Sequence, residues 1–160
     1  MKKLLIVWHS MTGGSEALAR AAFAGAMEVD ARLLHAGDVT AADMLATDGY
    51  LFVFPENLAA ISGVMKAFFD RLYYPCLGQI EGRAFAVIVC AGSDGSNAVR
   101  QVERIATGWR LRKVTDSMII CTHAQTREAI MAFKTISEAD LQKAHETGAA
   151  LAAGLKLGIF

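Results

Sequence analysis

The sequence predicts an open α/β sheet of five parallel strands in the order 2-1-3-4-5, with helices on both faces. Three observations carry that expectation. Short apolar runs rich in β-branched or aromatic residues alternate with longer segments of helical period, the mark of βαβ units around a parallel sheet. The 160 residues, 54% of them hydrophobic, are enough for one well-cored domain and too few for two comfortable ones. The runs also end in distinctive loops: HSMTGGS follows the first, PENLAAIS the third and AGSDGSN the fourth. Open sheets of this kind bind ligands outside the carboxyl ends of their strands, and the proposed order makes these three loops neighbours.

Each element has its own local reason. Residues 4–8 form the first strand, because the apolar run after MKK is too short for a signal-peptide core and no small-residue cleavage site follows. The turn at 9–14 ends it, and the Ala-rich stretch 15–27 has helical spacing. Residues 31–35 give a second strand, 41–46 a short helix, and 50–54 a third strand. In the helix expected at 61–72, Val64, Phe68 and Leu72 share a stripe with Met65 and Phe69 beside it, so the aromatics read as core. Lys66 and Asp70 on the same helix are spaced as a surface pair. Residues 84–90 and 117–122 supply the fourth and fifth strands, with a helix at 97–109 between them. A terminal helix at 138–155 opens on SEAD, where Ser137 caps and Asp140 sits at the reciprocal position. The only two prolines fall at predicted element ends, and no linker, repeat or low-complexity tract interrupts the pattern.

Composition excludes several functions. Lys plus Arg equals Asp plus Glu at 16 each, so no overall field draws nucleic acid or an anionic membrane surface. No apolar run approaches the roughly 20 residues of a membrane span. Cys76, Cys90 and Cys121 form no CxxC pair and leave one thiol over under any disulfide scheme, which reads as reduced core thiols in a cytoplasmic protein. His35, His123 and His145 have no metal-ligand spacing, and His9 reads as an exposed strand-edge histidine. Arg100, Arg104, Arg110, Arg112 and Lys113 read mostly as a solvated helix end.

The first loop has the chemistry of a phosphate cup. Ser10, Thr12 and Ser15 offer hydroxyls, Gly13 and Gly14 let backbone N–H groups converge, and the following helix adds its free amides and positive dipole end. A nucleoside-triphosphate loop needs GxxxxGK[ST], but no lysine lies between His9 and Arg20, and a dinucleotide fingerprint needs GxGxxG where only the Gly13–Gly14 pair is present. A phosphatase loop would need a cysteine. A phosphoacceptor domain would need acidic residues where His9 and Pro55 stand. What remains is a phosphate held by neutral donors, the alternative being a Ser/Thr-capped helix start with no ligand.

On these residues the chain resembles the flavodoxin-like family, a three-layer αβα sandwich, and within it the small NAD(P)H-dependent FMN reductases and related quinone reductases. WHSMTGGSEALA looks like the family's phosphate loop. FPENLAAISGVMKAFFDRLYYP looks like its second flavin loop followed by a helix ending in F-x-D-R, and CAGSDGSN is similar to the third loop. The resemblance implies FMN as cofactor, its phosphate on Ser10, Met11 (backbone), Thr12, Gly13, Gly14 and Ser15. The ribityl chain and ring would then rest between Pro55, Glu56, Asn57, Leu58 and Ala59 on one side and Gly92, Ser93, Asp94 and Gly95 on the other. For Glu56 and Asn57, direct flavin contact and a turn- or helix-capping role both stand.

Two function classes follow: an oxidoreductase passing hydride from NADH or NADPH through FMN to a small acceptor such as a quinone, free flavin or oxygen, and a flavodoxin-type electron carrier. Carriers of that type resemble strongly acidic proteins with aromatics against the flavin. Here the pI is about 6.9 and neither PENLAAIS nor AGSDGSN holds an aromatic residue, which favours the oxidoreductase. In such an enzyme the cofactor carries the chemistry, so no protein acid, base or nucleophile is expected. Similar reductases are commonly dimers, and Ile130, Met131 and Phe133 in AQTREAIMAFK, which have no evident core role, suit either a homodimer contact or burial within the monomer.

Overall fold

In the computed structural model, which describes all residues from Met1 to Phe160, the strands are β1 (Lys3–Trp8), β2 (Asp30–His35), β3 (Gly49–Asn57), β4 (Ala60–Ile61), β5 (Ala84–Ala91), β6 (Arg112–Lys113) and β7 (Met118–Cys121). The helices are α1 (Gly14–Gly25), α2 (Ala41–Leu45), α3 (Gly63–Cys76), α4 (Ser96–Gly108), α5 (Arg127–Met131) and α6 (Glu138–Leu157). The sheet runs β2-β1-β3-β5, with β6 and β7 both on the outer edge of β5 and every one of these pairings parallel. This is the expected order, except that the fifth strand comes in two pieces. Five residue steps separate Lys113 from Met118 while their partners Phe85 and Ile88 are three apart, so two extra residues bulge out of this edge. Such a break blunts an edge against pairing with another chain. Glu103 of α4 holds both ends, accepting hydrogen bonds from Lys113 Nζ (2.9 Å) and Ser117 Oγ (2.8 Å).

Strand alternation divides the core into two layers of different texture. Tyr50, Phe52 and Phe54 of β3 point to the α3/α4 face, where Phe68, Phe69 and Trp109 meet them. Phe52 lies 5.3 Å, centroid to centroid, from Phe69, and Tyr73 stacks on Trp109 at 5.8 Å, so Phe68 and Phe69 are core as expected, while Tyr74 is exposed. Val64 is the exception on that stripe, being partly exposed. Leu51 and Val53 point to the other face, onto the small residues of α1 and α6. There a Cβ on Gly148 would strike the Ala22 carbonyl. Close backbone approach, rather than large side chains, therefore seats α1. Burial of β5 along its whole length marks it as a central strand.

Several expectations shift. The helix expected from residue 61 starts at Gly63, because Ile61 is drawn into β4, and it runs on to Cys76 with Pro75 inside its last turn. Pro55 likewise lies inside β3, which outruns the apolar run at 50–54. Neither proline marks an element end. At α6 the Ser137 hydroxyl accepts from Asp140 N–H (3.1 Å), while the Asp140 carboxylate turns to Lys143 (3.0 Å); the reciprocal box forms instead at Thr40 and Asp43 of α2. The Lys66–Asp70 pair closes at 2.6 Å. Arg71, last of the F-x-D-R pattern, donates to the carbonyls of Ala36 and Val39 and ties α3 to the turn after β2. No helix is long and apolar enough to cross a membrane.

Candidate functional site

Three loops leave the carboxyl ends of β1, β3 and β5 side by side. In the first, Gly13 takes the left-handed conformation (φ 92°), turns the chain into α1, and donates its N–H to Ser10 Oγ at 2.9 Å. No side chain caps α1, so the amides of its first turn stay available. Ser15, one residue into the helix, is 1% exposed, and its hydroxyl has no oxygen or nitrogen partner, only the weakly bonding Cys90 thiol beside it. A buried hydroxyl without a partner is costly in a core but useful at an anion site. The Cys90 thiol lies under the loop, close enough that a Cβ on Gly14 would approach its Sγ to 2.9 Å. Burial pushes that thiol up to about 11, against the opposing pull of the Lys134 ammonium, so it stays protonated.

The second loop is a two-residue hairpin that folds β3 back onto β4, pairing Glu56 with Ile61 and Asn57 with Ala60. Its tip is Leu58 and Ala59, both at positive φ (50° and 59°), a conformation that costs an L-residue about 1–2 kcal/mol. Helix α4 holds the strained turn: Asn97 Nδ2 donates to Ala59 O (2.6 Å) and Gln101 Oε1 accepts from Ile61 N–H (2.9 Å). Glu56 fastens the same hairpin, its two carboxylate oxygens accepting from Gly95 N–H (2.9 Å) and Ala98 N–H (3.1 Å). Of the two readings open for Glu56, its side chain takes the helix-capping one. Asn57 instead faces the first loop, its Nδ2 2.9 Å from Met11 Sδ.

In the third loop Gly92 and Ser93 face the hairpin, whereas Asp94 and Gly95 turn toward α4. Hydrogen bonds from Ser96 hold the Asp94 carboxyl below the usual range, and Gly95 repeats the left-handed turn of Gly13 at φ 88°.

Together Met11, Glu56, Asn57, Leu58, Ala59, Gly92 and Ser93 wall an open cavity of about 610 Å³. Its remaining lining, Ala124, Gln125 and Ile130, comes from the stretch between β7 and α6, where the sequence suggested a homodimer contact or burial and no part in the site. Thr12, Pro55, Cys90 and Lys134 line a smaller cleft beside it. No aromatic residue lines either space. Phe133 lies instead over the first loop, where a Cβ on Gly13 would collide with its ring. Residues 124–134 carried no periodic signal, and one non-local bond fixes them there, Lys134 N–H to Thr12 O at 2.8 Å.

His9 departs from its expectation. It is buried, with Nδ1 2.8 Å from Ser62 Oγ, and desolvation followed by the nearby His35 lowers its pKa. Of the basic cluster, Lys113 pairs with Glu103 and Arg110 with Glu81, while Arg100 lies on Asn97 (3.4 Å), which holds the hairpin tip.

The residues fit an anionic phosphate joined to a planar heterocycle. The α1 terminus offers free amides and an orphaned hydroxyl, and the adjoining cavity is lined by the turn backbone of the hairpin and the third loop. Comparison with known proteins points the same way. A family model described as NADPH-dependent FMN reductase matches residues 35–125, a span holding the second and third loops. A flavodoxin of Aquifex aeolicus (strain VF5) is 32% identical over 103 residues, 62% of this chain and 56% of that protein, so the match spans a little over half of that relative. A flavodoxin from the domain Archaea superposes with a TM-score of 0.80 at 18% identity, covering 96% of this chain and 99% of that one. A flavodoxin, WrbA-like protein from Agrobacterium tumefaciens gives 0.76 at 18% identity, over 98% and 99%.

Proposed function

The chain belongs to the NADPH-dependent FMN reductase family, whose model spans residues 35–125, and from that premise we propose that it is an FMN-dependent oxidoreductase that oxidises NADH or NADPH and reduces a small acceptor. FMN is the flavin that family membership supports. In this reading Ser10, Thr12 and Ser15, with the amides from Met11 to Ser15, hold the phosphate. The hairpin Pro55–Ala59 and the Gly92–Gly95 loop border the ring. Bound FMN supplies the two-electron chemistry, and the chain binds it, orients it and leaves one approach open. With a quinone as acceptor, the nicotinamide gives up a hydride, solvent gives a proton, and a quinol leaves.

The observation that carries the oxidoreductase over the carrier is the cavity wall. Its lining is aliphatic and polar, without an aromatic side chain, and its mouth is open, which leaves space for a nicotinamide beside the flavin. The relative named flavodoxin supports the second reading, an electron carrier reduced by a partner protein. Rapid anaerobic mixing of FMN-loaded protein with each nicotinamide separates the two. Loss of oxidised-flavin absorbance with at least one nicotinamide, faster than for free FMN, is expected; reduction no faster than free FMN with both would leave the carrier.

A homodimer belongs to the same proposal. Met131 and Phe133 are 66% and 80% exposed, and α5 buries none of its residues, which supports a contact between copies over burial within one. Sedimentation of FMN-loaded protein is expected to show a dimer, and a strict monomer would favour the carrier.

A further inference from the structure

The first loop contains no cation, yet the fold brings one to it from 120 residues further along the chain. Lys134 N–H donates to Thr12 O at 2.8 Å, and the Lys134 Cβ lies 3.4 Å from where a Cβ on Gly14 would stand. Its ammonium group turns onto the carbonyls of Ala129 (2.8 Å), Ile130 (2.8 Å) and Ala132 (2.6 Å), at the C-terminal end of α5. That is a favourable place for a cation. It is also easily given up. Helix α5 has five residues and none is buried, so water can take over its carbonyls, and a lysine stem is flexible enough to re-aim its charge. A phosphate monoester carrying about −1.5 to −2 at neutral pH is a stronger acceptor than neutral carbonyls. Other basic groups near the loop are engaged: Arg20 pairs with Glu16 at 2.7 Å, and His9 is buried on Ser62. The charge of Lys134 is already felt at the Cys90 thiol under Gly14.

We propose that Lys134 is a phosphate ligand, exchanging the α5 carbonyls for the terminal phosphate of FMN, and that it sets the preference of the site for FMN over riboflavin. The proposal rests on the reading of the α1 terminus as the phosphate site and deepens it. The exchange redraws the α5 end, which contributes Ile130 to the ring cavity, so phosphate capture also adjusts the wall against which the flavin lies.

The test is titration of FMN and of riboflavin, each into the unaltered protein and into the Lys134→Gln and Lys134→Arg variants. Lys134→Gln is expected to weaken FMN about tenfold or more, the equivalent of a charge-assisted hydrogen bond, and to leave riboflavin unchanged. Lys134→Arg should keep most of the FMN preference, and added salt should narrow the gap between the unaltered protein and Lys134→Gln. Equal weakening of both ligands by Lys134→Gln, or of neither, would overturn the role of Lys134 while leaving the phosphate reading intact. Failure of the unaltered protein to bind FMN, or equal affinity for FMN and riboflavin, would overturn the phosphate reading and this inference with it.

Discussion

Helices α1 and α4 begin almost identically and end up with opposite uses. Each follows a strand of the sheet, and each is entered through a left-handed glycine, Gly13 at φ 92°, ψ −15° and Gly95 at φ 88°, ψ −14°. At α4 the chain supplies its own anion, with the Glu56 carboxylate on the amides of Gly95 and Ala98. At α1 no carboxylate lies on the terminal amides, because Glu16 of the first turn pairs with Arg20; the Gly13 amide has only the Ser10 hydroxyl, and a second hydroxyl, Ser15, is buried there without a partner. One geometry thus serves at α4 as a terminus capped from within and at α1 as one left open, which under the proposed function receives an anion from outside. The difference lies in what the neighbouring loop brings to the helix.

Substitutions can break that contrast, and the largest effect is expected at the glycine of the open terminus. Gly13→Val would place a β-branched residue at positive φ and drive its side chain into Phe133. A loss of about 2–4 kcal/mol in urea denaturation is expected from strain and overpacking, with FMN binding abolished. A variant that keeps both would show that the turn has another conformation available.

The next two changes should give opposite patterns. Thr12→Ala is expected to weaken FMN by about 1.5–3 kcal/mol in calorimetric titration while leaving the unfolding midpoint in place. Glu56→Ala is expected to lower stability by about 0.5–2 kcal/mol through loss of the α4 cap. If Thr12→Ala instead lowers stability and leaves FMN affinity alone, the first loop is a cap like the third.

Ser15→Ala sharpens the comparison further. Removing an unpartnered buried hydroxyl should raise the stability of ligand-free protein by about 1 kcal/mol and weaken FMN. No gain in thermal denaturation would mean that the hydroxyl is satisfied without a ligand.

The smallest effect concerns His9, beneath the same loop. Its folded pKa lies below the ordinary 6.5, so the unfolded chain binds more protons there and stability rises with pH across that window. His9 therefore costs nothing above about pH 6.5 and subtracts stability as pH falls below it. His9→Gln should flatten this part of the stability-against-pH curve, and an unchanged slope would assign it to other groups.

The contrast between the two termini also marks where sequence reading stops. Strand order and the convergence of the three loops were legible because apolar runs and Gly/Ser-rich turns are local signals. Gly13 and Gly14 were legible as a pair, but which one takes positive φ depends on the exit direction from β1. The Glu56 cap was left undecided because its partners, Gly95 and Ala98, lie about 40 residues away. Lys134 carried no signal at all, and Ile130 only that of an apolar residue without a core role: AQTREAIMAFK has no sustained period, and only the fold lays it across Thr12 and Gly13. The split fifth strand was illegible too, since a bulge is set by the partner's register.

The central claim is that the open terminus of α1, and not the closed one of α4, receives the terminal phosphate. Amide proton–nitrogen spectra of protein saturated with FMN and with riboflavin test it directly, because subtracting one set of shifts from the other leaves the effect of the phosphate alone. The account predicts differences concentrated at Gly13, Gly14, Ser15, Glu16 and Lys134, with Gly95 and Ala98 unmoved because Glu56 keeps them. Differences centred on Gly95 and Ala98, or none along the first loop, would contradict it.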